Sequence, residues 1–360
     1  MNIHGVWRFA AHLPPVEPAQ RITLGEGSTP LVALPRWGAA HGLARAYAKL
    51  EFANPTGSFK DRGMAVLVSV AGAQGARYLV EDSSGNAGAS AAAYAARAGL
   101  PCTIYAPEAA PAAKLRQIRA CGARLVLVPG PRSAVSDAAR EAGRQPGTYH
   151  IAHNENPLFL AGQKTFAFEL LEEVPAAGLL APTAPATAGA GTGHRDGPPW
   201  HLVIPTGGGA LFVGAWQGFT ELIESAGPAG QASLPRLHAA QAVGCAPIVA
   251  AWEAGLPEPA PIKRRPTVCG GIEIERPTRG RLILEAIRRS GGTAVASADE
   301  TILAERDRLA RLEGLYVEPT SAAALAATAQ LARRGIIGRD EPVVVALTGT
   351  GLKDPGPETA

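Results

Sequence analysis

Few side chains in this chain can serve as an amine nucleophile. Among 360 residues only six are lysines: Lys49, Lys60, Lys114, Lys164, Lys263 and Lys353. Lys60 stands in Asn54-Pro-Thr-Gly-Ser-Phe-Lys60-Asp-Arg-Gly63. There Asn-Pro and Thr-Gly mark a turn, and the apolar run Met64–Val70 continues as a helix. An amine at a loop-to-helix junction lies near the positive end of the helix, which lowers its pKa. A desolvated amine of lowered pKa is what condensation with a carbonyl requires. The competing reading is a solvated surface lysine.

Three further loops carry chemistry. Ser83-Ser84-Gly85-Asn86-Ala87-Gly88 follows a strand and opens a helix, where small residues let N–H groups face an anion such as a carboxylate. The Asn86 amide would reach an aromatic hydroxyl; otherwise Asn86 is an ordinary N-cap. Gly207-Gly208-Gly209-Ala210-Leu211, after Pro205-Thr206, permits a nest of donors suited to phosphate. It lacks the G-x-G-x-x-G spacing and any following Lys-Ser/Thr, so dinucleotide and P-loop readings are weak. A turn that merely needs positive φ is the alternative. Thr348 in Thr348-Gly-Thr-Gly351-Leu-Lys-Asp-Pro355 ends the last strand, at the sheet edge where open α/β sheets bind ligands. It offers a hydroxyl to a ring nitrogen, or is part of a Gly-rich turn. Together the four supply a Schiff-base amine, a hydroxyl partner, a phosphate cup and a pyridine partner, the parts of a pyridoxal-phosphate (PLP) site.

The elements that would position them alternate regularly. Strands are expected at Arg77–Glu81, Cys102–Ala106 and Arg124–Val128, with helices at Ala87–Ala98, Ala112–Ala120 and Ser133–Arg144. The pattern restarts at His201–Pro205 and continues near Leu237–Ala242, Thr293–Ala296 and Pro342–Thr348. Short β-branched runs separated by helices predict parallel sheets built from βαβ units, hence two wound α/β regions with a cleft between them. Residues 56–150 are expected to form a small domain, and 1–55 with 151–360 a large one. The Ala/Gly/Pro/Thr-rich stretch 176–199 reads as a flexible insertion, and 355–360 as a frayed tail.

Composition narrows the class. The chain is 46% apolar and 18% charged, which suits a compact enzyme, and a net charge of +3 predicts neither a nucleic-acid nor an anionic-membrane partner. The four cysteines form no C-x-x-C pair and no zinc-spaced cluster, so reduced thiols are expected and no metal is implied. The N-terminus shows no secretory pattern and no run of about 18 apolar residues occurs, which makes the cytoplasm the expected location.

With these motifs in place the chain resembles the fold-type-II PLP enzymes, the tryptophan-synthase-β family, and within them the threonine synthases. The resemblance is carried by G-E-G-S-T-P-L at Gly25–Leu31, N-P-T-G-S-F-K-D-R-G at Asn54–Gly63 and S-S-G-N-A-G at Ser83–Gly88. P-T-G-G-G at Pro205–Gly209, V-E-P-T-S-A at Val317–Ala322 and T-G-T-G-L-K-D-P at Thr348–Pro355 complete it. It implies two three-layer α/β domains with the cofactor in the cleft between them. Lys60 would hold PLP and move the substrate protons, and Asn86 would meet the cofactor's ring oxygen. Gly207, Gly208, Gly209, Ala210 and Leu211 would hold its phosphate, and Thr348 would face the pyridine nitrogen. Ser83, Ser84, Gly85 and Ala87 would line the substrate carboxylate site, with Glu318 and Thr320 near the cofactor. The implied reaction is elimination or replacement at Cβ or Cγ of a small amino acid, for threonine synthase O-phosphohomoserine plus water giving threonine and phosphate. A serine/threonine ammonia-lyase or a specialised-pathway synthase is the alternative. A catalytically silent PLP or amino-acid sensor is the non-enzyme reading, against which the retention of Lys60, Asn86 and Thr348 speaks. A homodimer is also implied.

The pattern departs from threonine synthase at the substrate. Phe159 stands where the family carries an Arg associated with the substrate phosphate, Ala161 where it carries Glu, and Glu273 where it carries a second Arg. Losing two guanidinium forks disfavours a dianionic phosphate. Lys164 survives, either as a compensating cation or as a solvated helix residue.

Overall fold

A computed structural model of the chain describes residues 5–110, 112–130, 132–176, 178, 199–225, 234–353 and 357. Most of the expected insertion at 176–199, and all of the expected tail at 355–360 except residue 357, lie outside the described residues. Strand β1 (Leu31–Ala33), helix α1 (Pro35–Ala40) and β2 (Ala46–Lys49) come first. They are followed by α2 (Lys60–Ala73), β3 (Tyr78–Glu81), α3 (Asn86–Ala98), β4 (Cys102–Pro107), α4 (Ala112–Ala120), β5 (Arg124–Val128), α5 (Arg132–Ala142) and β6 (Thr148–His150). Helix α6 (Pro157–Ala176) leads to β7 (His201–Pro205), α7 (Ala210–Ser225), β8 (Arg236–Ala242), α8 (Pro247–Glu253) and α9 (Gly280–Ser290). Strand β9 (Thr293–Ser297), α10 (Asp299–Glu313), α11 (Pro319–Arg333) and β10 (Val343–Ala346) close the series.

Two sheets result. One has six strands in the order β1-β2-β10-β7-β8-β9, the other four in the order β5-β4-β3-β6. The small sheet is parallel throughout. In the large sheet β1 pairs antiparallel with β2, at an edge outside the predicted βαβ units. Strands β1, β2 and β6 escape sequence reading because they are short. β6 is Thr-Tyr-His, with no apolar run, yet it lies parallel to β3 in the register Tyr78↔Thr148. The last strand stops at Ala346 rather than Thr348. Thr348 leaves the ladder because its carbonyl accepts the N–H of Phe59 instead (3.1 Å).

Apolar side chains fill three regions. Phe166, Trp200, Phe212 and Phe219 bury one face of the large sheet under α6, α7 and α9. Trp37, Leu325 and the alanines of α11 cover the other. Met64–Leu67, Tyr94 and Ile104 pack around the small sheet, and Phe159 joins them from α6. Each fully buried large apolar side chain contributes about 1.5–3 kcal/mol, so α6 bonds the two halves through its own packing. All four cysteines are free thiols, and burial pushes Cys102 up to about 12. Among the described residues no helix is long and apolar enough to cross a membrane.

Candidate active site

Lys60 is the first residue of α2, and its neighbours anchor that turn. The Asp61 carboxylate accepts from the Thr56 N–H (2.7 Å), the Thr56 hydroxyl (2.6 Å) and the Ser90 hydroxyl (2.6 Å). Burial raises the Asp61 pKa, and these donors oppose the shift. Arg62 is fully buried and forks onto two carboxylates, Glu51 (2.7 Å) and Glu169 (2.7 and 2.8 Å). With both neighbours pinned inward, Lys60 is left to face the cleft. Its Nζ lies 4.5 Å from the centroid of Phe59 and 5.9 Å from that of Phe159. Among the described residues no acceptor lies within hydrogen-bond distance of the amine. Desolvation lowers its pKa to about 8, helped by the positive charge of Arg279 and opposed by Glu81 and Glu318. Lys60 is half-buried rather than a fully solvated surface lysine.

The C-terminal turn lies directly against this loop. Ser58 bridges Gly349, and the Thr350 N–H donates to Gly57 (3.0 Å). The Thr348 hydroxyl is 3.0 Å from the Ser321 hydroxyl, which also accepts the Gly349 N–H (2.9 Å). The Glu318 N–H donates to Gly349 O (3.1 Å), and the Asn86 amide donates to the Glu318 carboxylate (3.0 Å). Lys60, Asn86, Glu318, Ser321 and Thr348 thus converge from four parts of the sequence. Gly85, not Asn86, caps α3, and Asn86 opens the helix. The N–H groups of Asn86 and Ala87 meet no acceptor among the described residues, while Ser83, Ser84 and Gly85 are half-buried beside them. Gly88 is required here, because a Cβ would lie 1.8 Å from the Ser83 carbonyl oxygen. The Thr320 hydroxyl accepts the Gly271 N–H (3.2 Å).

Between β7 and α7 the chain forms the nest. Gly209 has φ +86°, and a Cβ there would meet Ile283 Cδ1 at 2.5 Å. The backbone N–H groups of Gly207, Gly208, Gly209, Ala210 and Leu211 find no acceptor among the described residues. Five unpaired donors at a helix N-terminus are costly unless an anion takes them.

Sequence reasoning missed several residues. Glu81, fully buried at the end of β3, accepts from His153 Nδ1 at 2.6 Å, and its other oxygen has no partner. Arg279 is buried, and its Nη1 likewise has none. Neither has a local signature: Glu81 reads as a strand-end acid, and Arg279 sits in a charged run that looks solvated. The substitutions at the substrate positions acquire definite places. Phe159 is fully buried with its ring edge against His153 (5.6 Å) and its face toward Lys60. Glu273 is held by Arg264 (2.7 Å). Lys164 donates to Glu221 (2.6 Å) and the His12 carbonyl (3.0 Å), which removes it as a compensating cation.

A fold of two wound sheets with a lysine, an Asn loop and a Gly nest at one cleft defines the fold-type-II class of PLP enzyme. The family model described as "Pyridoxal-phosphate dependent enzyme" matches residues 22–349, and the chain belongs to that family. It is 36% identical over 352 residues to a threonine synthase of Methanocaldococcus jannaschii, covering 98% of this chain and 81% of that one. A threonine synthase of Mycobacterium leprae is 36% identical over 341 residues, covering 93% and 84%. Among solved structures, threonine deaminase isoform 2 from Solanum lycopersicum superposes with a TM-score of 0.74 at 18% identity, covering 96% of this chain and 86% of that one. Maize serine racemase does so at 0.74 and 20%, covering 96% and 93%. The chain is a PLP-dependent enzyme, and its own groups fit the cofactor at both ends: an unpaired amine for the carbonyl and unpaired backbone donors for the phosphate.

Proposed function

We propose that this enzyme catalyses a threonine-synthase-like reaction, O-phosphohomoserine plus water giving threonine and phosphate. The reading rests on one observation above others: a half-buried, unpaired amine of lowered pKa alongside unpaired donor nests. When bound, PLP supplies an electron sink for charge developing at the substrate's Cα. Lys60 would hold the cofactor, and its amine, with a pKa lowered to about 8, would take and return protons at the substrate's Cα and Cβ. Gly207–Leu211 would hold the cofactor phosphate, and Asn86 would meet its ring oxygen. Thr348, whose hydroxyl lies 3.0 Å from that of Ser321, would face the ring nitrogen as a neutral partner. Ser83, Ser84, Gly85 and Ala87 receive the substrate carboxylate at the start of α3. Phe159 beside Lys60 keeps water from the amine. A homodimer in the cytoplasm belongs to the same reading.

Phe159 also favours a second reading, a serine/threonine ammonia-lyase, since an apolar wall beside the amine suits a small uncharged side chain. One experiment separates them. Purified holoenzyme is given O-phosphohomoserine, threonine or serine, and phosphate, threonine and keto acid are quantified. Equal phosphate and threonine, lost at least about 10³-fold in Lys60→Ala, is the expected result. Keto acid from threonine or serine without phosphate release would transfer the assignment to the lyase.

A further inference from the structure

Arg279 is a cation that the protein buries and leaves without a partner. It precedes α9, is only 7% exposed, and its Nη1 is enclosed with no acceptor. Among the described residues no carboxylate pairs with its guanidinium. Arg62 shows the contrast, because that guanidinium is also buried but meets Glu51 and Glu169. Glu155 is the acid whose charge reaches Arg279, but its side chain is 63% exposed and lies 4.0 Å from Arg140. Taking a guanidinium out of water without a counter-ion is unfavourable, and a ligand that arrives with negative charge removes the penalty.

The backbone fixes where this residue stands. Arg279 Cβ lies 3.5 Å from the point that a Cβ on Gly209 would occupy, and Ile283 Cδ1 lies 2.5 Å from the same point. The Arg279 carbonyl accepts the Ile283 N–H (3.0 Å), which ties it to the first turn of α9. On the other side the Thr278 hydroxyl donates to the Asn154 carbonyl (3.0 Å), and Asn154 Oδ1 lies 3.1 Å from the corresponding point at Gly208. Arg279 therefore borders the nest formed by the five unpaired amides of Gly207–Leu211. Its charge also reaches the Lys60 amine. A cation beside the nest and within reach of the amine stands where PLP carries its negative charge, because the phosphate arm and the carbonyl occupy adjacent ring positions. The amides supply partial charges only, whereas a phosphate monoester, with a second pKa of about 6, is largely a dianion at neutral pH.

We propose that Arg279 is a side-chain ligand of the cofactor's phosphate: it closes the backbone nest of Gly207–Leu211 with a full positive charge and makes the site select the phosphorylated cofactor. The assignment rests on the reading of that nest as the phosphate cup and adds a counter-charge to it. A guanidinium presents two parallel N–H donors to phosphate oxygens, a fork that Gln cannot match in charge nor Lys in geometry. The phosphate in turn gives the buried guanidinium the counter-ion that the polypeptide withholds.

The test is a binding measurement, independent of turnover. Cofactor-free wild type, Arg279→Gln, Arg279→Lys and Gly209→Ala are titrated with PLP and with pyridoxal, which keeps the carbonyl and lacks the phosphate. Binding is read from absorbance. Attachment through Lys60 is common to both ligands, so the ratio of the two affinities isolates the phosphate. Arg279→Gln should lose about 10–100-fold in affinity for PLP and less than about twofold for pyridoxal. Arg279→Lys should fall between wild type and the Gln variant. PLP and pyridoxal affinities that both stay unchanged in Arg279→Gln, or that fall together, overturn the proposal. Gly209→Ala keeps this result apart from the reading of the nest. If it lowers the affinity ratio and Arg279→Gln does not, the nest reading stands and the role of Arg279 falls. If Arg279→Gln lowers the ratio and Gly209→Ala does not, the nest reading fails while Arg279 remains the phosphate's ligand. Should the Arg279 variants not fold, a crystal structure of the wild-type holoenzyme decides. The guanidinium must lie within about 3.2 Å of a phosphate oxygen, and a longer separation overturns the proposal.

Discussion

At the scale of single residues the site depends on groups left without partners. The Lys60 amine is the clearest, and its lowered pKa has a direct kinetic consequence. Burial disfavours the ammonium, so the neutral, reactive amine accumulates as pH rises through about 8 rather than 10.5. The rate at which cofactor-free protein captures PLP should rise through an inflection near pH 8, followed by stopped-flow absorbance. An inflection left near 10.5 would mean the amine is solvated. Gly209 gives a second prediction. A side chain there must accept φ +86° and share space with Ile283, so Gly209→Ala should cost about 1–3 kcal/mol. It should also weaken PLP at least about tenfold, because the nest's donors would be displaced. Equilibrium dialysis against the cofactor and a melting curve read the two effects separately.

At the scale of elements, the site is a set of turns pinned to one another. Ser321 illustrates this: one buried hydroxyl in the first turn of α11 joins the Thr348 hydroxyl and the Gly349 N–H. Ser321→Ala leaves that N–H buried without its acceptor, at about 1–3 kcal/mol, and releases the Thr348 rotamer. The expected outcome is a lower melting temperature together with a shifted absorbance of bound PLP. A lower melting temperature with an unaltered spectrum would show that Thr348 is positioned by other contacts. Much at this scale was legible in the sequence, for physical reasons. Each motif is a strand-to-helix or loop-to-helix junction, and Gly, Asn, Pro and small residues announce such junctions through local backbone needs. Strands β3, β4, β5, β7, β8 and β9 were found because their side chains are apolar and bounded by helices. β6 was not, because three polar-leaning residues beside β3 draw their order from the neighbour and not from their own pattern. Arg279, Glu81 and His153 were illegible for a related reason: burial of a charge is decided by chain segments far away in sequence. The Glu273–Arg264 ion pair is illegible for the same reason, since the pairing is set by how the intervening loop folds.

At the scale of the whole molecule, α2 carries Lys60 while α6 runs from the small-sheet core to the large-sheet core. We propose that 56–150 forms a small domain seated on the remainder, with α6 as its support. The ions at this contact tie the two together: buried Arg62 from α2, Glu169 from α6, and Glu51 and Lys49 from the N-terminal part, with half-buried Glu173 of α6 beside them. Burial alone would raise the Glu169 pKa, but Arg62 and then Lys49 outweigh it and hold the carboxyl down at about 2. A carboxylate whose folded pKa lies below its unfolded value near 4.5 stabilises the fold fully above pH 4.5. That contribution is lost as pH falls toward 2, because the unfolded chain binds the proton first. Glu173, at the rim, is shifted upward by burial and acts in the opposite direction, so wild-type acid sensitivity is a difference between the two. Glu169→Gln isolates the first. It strips Arg62 and Lys49 of a shared buried partner and should cost about 3–5 kcal/mol at neutral pH. It should also flatten the fall in stability between pH 4.5 and 2, measured as urea midpoints across that range for both proteins. If the variant matches wild type at pH 7, the network contributes nothing net and apolar packing along α6 alone joins the halves. If it is destabilised equally at every pH, the loss is one of shape, and the carboxylate charge is not what holds Lys60's helix in place.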